Sequence, residues 1–191
     1  MSAFEFVTVL ISIILGLGIT QLLSGIADLI QQWEKVKLYW PHVLWMLMIF
    51  VLHVQEWWLT FPLQTSRTIW HLPLFLFQML YPISLFIAAR ILFPAANDES
   101  CNNLKDFYFR NYRKFFLIVM TLSLLSGIDN VFYYDLGVEG WLLNLIMFMV
   151  LLVVAVRKIN TEWLHQLIAV GLLVTFIVGI ILNIDEWVIV A

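Results

Sequence analysis

Among residues able to do chemistry, His53 and Glu56 stand first. They are one helical turn apart, inside a run from His42 to Phe61 that otherwise reads as bilayer-spanning. Ionisable groups within a span are costly, so they are usually paired, cavity-facing or functional. Asp129 and Asn130, then Asn183 and Glu186, add acids and amides near the ends of two later apolar runs. Gln21 and Asp28 lie on the first run. These eight residues are the predicted ion or proton pathway: an acidic vestibule leading into a polar track. Carboxylate rings concentrate cations, and Asp/Glu/His chains relay protons. The competing reading is structural, because polar groups also join helices inside membranes. His53 and Glu56 are expected either to pair with each other or to face water.

Other chemistries fit less well. Glu162-x-x-His165 matches half of the carboxylate di-iron pattern, and His53-x-x-Glu56 is its reverse. A di-iron bundle needs two such units and two more Glu at one depth. The expected topology puts Glu162 and Glu56 at opposite surfaces, so no metal site is assigned. A haem held by two histidines would draw on His42 and His165, both near one face. The single cysteine, Cys101, excludes an internal disulfide and a thiolate cluster. There is no phosphate-binding Gly-rich loop, no nucleophile elbow and no His-Glu-x-x-His. The expectation is therefore no catalytic residue and no cofactor.

The elements that would position these groups are membrane helices. The chain is 63% hydrophobic and 12% charged, with a mean hydropathy of +0.95. Soluble domains run near half apolar and about a quarter charged. No soluble shape of this length hides so much apolar surface, so lipid must cover it. A net charge of -3 gives no reason to expect a nucleic-acid partner. The fold expected is all-α: one integral membrane domain with spans at about 4–31, 42–61, 72–93, 115–134, 141–156 and 162–187. The first run lacks a basic leader and continues into Leu29 and Ile30, so it reads as a span and not a cleaved signal. Pro41 suits a first helical turn, Pro82 should kink the third span and Pro94 should end it.

Two further patterns carry expectations. Ser12, Gly16, Thr20 and Ser24 repeat every four residues, a small-residue stripe that lets a helix approach closely, within or between subunits. Residues 104–114 mix Phe and Tyr with Lys105, Arg110, Arg113 and Lys114, as in a short helix lying on a membrane surface. Of the ten Lys and Arg, only Arg67 falls on the other side of a six-span topology. The positive-inside rule then puts residues 104–114 in the cytoplasm and both termini outside. Leu22-Leu-Ser-Gly-Ile26 recurs as Leu124-Leu-Ser-Gly-Ile128, the trace an inverted three-plus-three repeat would leave.

The opening, Phe4-Glu-Phe-x-x-x-Leu-Ile-Ser-Ile-Ile-Leu-Gly-Leu-Gly-Ile-Thr-Gln-Leu-Leu, resembles that of small uncharacterised bacterial multi-pass inner-membrane proteins. The resemblance covers the first segment alone. It implies a bacterial inner-membrane location and no activity. The function expected is an oligomeric channel or carrier for a cation or proton, built as a homo-oligomer because six helices leave little room for a wide pore. The alternative is a non-transporting scaffold or sensor subunit that binds anionic lipid or a cytoplasmic protein partner through residues 104–114.

Overall fold

The structure is a computed structural model that describes residues 3–61, 71–94, 103–132 and 138–182. Six α-helices account for nearly all of them: α1 (Ala3–Gln31), α2 (Trp40–Leu59), α3 (Leu72–Ile91), α4 (Leu104–Phe132), α5 (Val138–Val156) and α6 (Glu162–Leu182). There is no strand among the described residues, only an isolated bridge between Lys37 and Asn103. Helices α1, α2, α3 and α6 are each long and apolar enough to cross a membrane.

The local reasons for these elements are plain. Pro41 and Pro73 occupy the first turns of α2 and α3, where a missing N–H costs nothing. Pro82 is buried inside α3 and has no N–H to give the carbonyl of Gln78. Hydroxyls are satisfied within their own helices: Thr20 donates to Gly16 O and Thr175 to Gly171 O, both at 2.8 Å. A donor turned toward lipid needs such an internal acceptor.

Helix α2 is the centre of the bundle, in contact with α1, α3, α4 and α6. It buries Trp45, Met46, Met48 and Ile49 against Ile11, Leu15, Leu85 and Phe116. The short α1–α2 and α5–α6 links and the start of α4 gather at one end, called here the basic end. Leu104 N donates to Lys37 O at 3.1 Å and so ties the first link to α4.

Three expectations change. Residues 104–114 are no separate surface helix. They are the first three turns of the unbroken α4, with Phe107, Tyr108 and Tyr112 buried. No proline interrupts this stretch, and its aromatics recur at three- and four-residue spacing, so they turn inward together. The small-residue stripe does not pack inside the bundle. Gly16, Thr20 and Ser24 are exposed, Ser12 is half-buried, and nothing lies within 4 Å of a Cβ built on Gly16. Close approach uses Gly18 and Gly25 instead, one receiving the His53 ring and the other the Phe93 ring. Third, the two halves pack differently. α1 contacts α3 most, whereas α4 contacts α5 most, which an inverted repeat would not give.

A methyl group on Gly18 would come within 2.1 Å of His53 Nε2. Gly18→Ala should destabilise by about 1–3 kcal/mol through overpacking. Gly16→Ala should be neutral or stabilising by up to about 1 kcal/mol, the helix preference of Ala over Gly. Thermal unfolding of the two variants in one detergent checks the contrast.

Candidate functional site

Two polar clusters stand at different levels of the bundle. Toward the far end of α2, Glu56 and Asp129 lie within electrostatic reach of each other, one on α2 and one on α4. Tyr81 of α3 lies within reach of both. All three side chains are half-buried. The helices explain the meeting: Glu56 is three residues from the end of α2, Asp129 three from the end of α4, and α3 packs against both. Gln78, one turn from Tyr81, is buried.

His53 does not pair with Glu56. Its ring is fully buried, and its Nδ1 lies 2.7 Å from Ile49 O. A carbonyl only accepts, so Nδ1 carries the proton and Nε2 is a bare acceptor. Nε2 has no hydrogen-bond partner and rests against the Gly18 notch. Gln21 is half-buried and Asp28 exposed, the latter at the basic end of α1. The Asn130 side chain, Asn183 and Glu186 lie outside the described residues.

The second cluster occupies the basic end. His165 is fully buried and ringed by Tyr108, Phe109, Tyr112 and Phe116, with ring centroids 4.7–5.7 Å away. Its Nε2 donates to Ile159 O at 2.8 Å. Its Nδ1 is then the acceptor, and the Tyr108 hydroxyl donates to it at 2.9 Å. His42 Nε2 donates to Leu92 O at 2.8 Å. Arg113 Nε donates to Ala155 O at 3.0 Å. Leu92, Ala155 and Ile159 sit at or just beyond the ends of α3 and α5, where carbonyls lack intrahelical donors. These side chains act as C-caps delivered by neighbouring helices.

This arrangement redirects several candidates. Both His165 nitrogens are engaged and His42 spends one on a cap, so the bis-histidine haem reading has no open axial pair. Glu162 is ion-paired with Lys105 at 2.5 Å. Among the described residues, no three His, Cys, Asp or Glu side chains gather where one metal ion could be held. Of the cations proposed for lipid or partner contact, Lys105 is taken by Glu162, while Arg110, Arg113 and Lys114 are exposed. Sequence reasoning missed the His165 cage. The spacing of Tyr108, Tyr112 and Phe116 signals one helix face, but nothing local says that this face meets α6.

At the basic end, burial pushes the Tyr39 phenol up to about 12, and the Glu162 charge adds to the effect. Burial also raises Tyr108 and Tyr112, with Arg113 pulling Tyr112 the other way. Comparison with known proteins finds no family, no curated protein and no solved structure that matches this chain.

Tyr108→Phe would leave His165 Nδ1 buried without its donor and should cost about 1–3 kcal/mol, read by thermal unfolding. The raised phenols give a signed pH dependence. They are neutral in both states below the unfolded value of about 10. Their contribution is whole there and is lost as pH rises through the Tyr39 value of about 12. Melting temperature should therefore fall above pH of about 10, with tyrosinate absorbance delayed until the fold opens.

Proposed function

We propose that the chain is a six-span membrane protein that conducts or carries a cation or proton, with Glu56 and Asp129 as the groups that hold it. The observation that carries this reading is that two carboxylates on different helices lie within electrostatic reach of each other inside one apolar bundle. Like charges in a low-dielectric site repel strongly, and a proton or cation between them relieves the repulsion. Tyr81 places a hydroxyl within electrostatic reach of both carboxylates. α5 and α4 complete the six spans, and the distribution of Lys and Arg supports termini outside and a bacterial inner-membrane setting. The exposed Gly16, Thr20 and Ser24 on α1 support a seam between copies, which a conducting assembly of such small subunits needs.

His53 has no direct part in this scheme. Its ring fixes the α1–α2 distance at Gly18, and any effect of its replacement on flux passes through packing.

Purified protein in liposomes should dissipate an imposed proton or alkali-cation gradient. Glu56→Gln with Asp129→Asn should slow that flux about tenfold or more, the ordinary effect of removing charge-stabilising groups. The double variant should keep its fold, since both changes remove charge from the interior. Flux equal to wild type in a folded double variant rejects the assignment.

A further inference from the structure

A second site emerges at the basic end, from residues that lie far apart in sequence. Arg113 is exposed on α4, and its Nε is fastened to Ala155 O at 3.0 Å. The bond fixes the guanidinium beside the last turn of α5 and leaves its two Nη groups at the end of the fork. Arg157 and Lys158 follow Ala155 within three residues, and both are exposed. Three cations thus share one corner of the bundle, contributed by α4 and by the α5–α6 turn.

The backbone of that turn carries an independent signal. Lys158 has φ 52°, the only positive φ at a non-Gly residue among those described. Ile159 N–H reaches back to Val154 O at 3.2 Å, so Lys158 occupies the left-handed position that closes a helix. Glycine is the usual residue there, because a side chain strains the conformation. Non-glycine strain of this kind clusters at ligand clamps. Here it is held by the His165 bond to Ile159 O and keeps a cation where glycine would give none.

The surroundings identify the occupant. Trp163, one residue into α6, is 64% exposed, as interfacial indoles are. One turn deeper, Leu117 on the Arg113 side of α4 and Val153 on α5 are exposed and apolar. Cations at the rim, an exposed indole at the start of the next helix and grease beneath match the order of phosphate, glycerol and acyl chain. Arg forks donate well to phosphate oxygens, and basic pockets between membrane helices bind anionic head groups.

We propose that Arg113, Arg157 and Lys158 form a specific site for the phosphate head group of an anionic phospholipid. This site is separate from the Glu56–Asp129 pair, and it stands whether or not that pair moves ions. It also replaces the broader expectation of contact along 104–114, since Lys105 is held by Glu162.

The test titrates the purified full chain in neutral detergent and reads melting temperature and retained lipid by native mass spectrometry. Phosphatidylglycerol should raise the melting temperature and remain bound. Phosphatidylcholine of the same chains and glycerol phosphate alone should do neither. Arg157→Gln with Lys158→Gly should melt no lower than wild type without lipid, because glycine relieves the strain, yet bind phosphatidylglycerol more weakly by about tenfold or more. Lys35→Gln with Lys37→Gln, at the same end, should bind as wild type does. The proposal fails if the site variant retains phosphatidylglycerol as well as wild type. It also fails if the Lys35/Lys37 control weakens equally, which means diffuse charge. Equal response to phosphatidylcholine, or full response to glycerol phosphate, overturns the lipid assignment as well.

Discussion

Carbonyl oxygens at the ends of α3 and α5 need donors that their own helices cannot supply, and the basic end is built around that need. His42 caps Leu92 O from α2, and Arg113 caps Ala155 O from α4. His165 reaches from α6 to Ile159 O in the turn after α5. In a dry environment an unmet backbone acceptor costs several kcal/mol, so each bond is both a cap and a tie between elements. The aromatic packing follows from it. Tyr108 serves as donor to His165, and Tyr39, Phe109 and Tyr112 fill the space around the pair.

With the basic end tied this way, the two polar clusters differ in kind. At the basic end the imidazoles have definite tautomers set by what they cap, and their chemistry is spent on architecture. The acidic groups near the far ends of α2 and α4 instead bring like charges within reach of each other. Glu56 and Asp129 come from separate helices that touch each other only lightly, while α3 packs against both. Glycine governs the spacing of α1 against these helices. Gly18 takes the His53 ring and Gly25 the Phe93 ring, seven residues apart on one face.

The sequence made the helices legible and their facing much less so. Apolar runs, prolines at 41 and 94 and the basic turns place the elements almost where they occur. The level of Glu56 with Asp129 was also readable, because depth follows from counting along spans. Rotation was not. Ser12, Gly16, Thr20 and Ser24 look like a packing seam, yet the next face over, with Gly18 and Gly25, does the packing. In lipid both faces are apolar, so hydrophobic periodicity no longer marks the inside. The same ambiguity hid His165 and pointed Phe107, Tyr108 and Tyr112 outward, whereas all three are buried. A histidine and a glutamate one helical turn apart suggested a pair, whereas His53 bonds to a carbonyl of its own helix.

The continuity of α4 has a mechanical meaning. Near Tyr108 the helix is pinned to Lys37, Glu162 and His165. Beyond that anchorage it runs to Asp129 as about 30 Å of α-helix, at about 1.5 Å per residue. It is held along that length as well, by α3 and α5 beside it and by the Ser123 hydroxyl, which donates to Asn144 O at 2.8 Å. One unbroken helix therefore links the clamp at the basic end to the carboxylate near its far end, so both polar clusters share a single stiff strut.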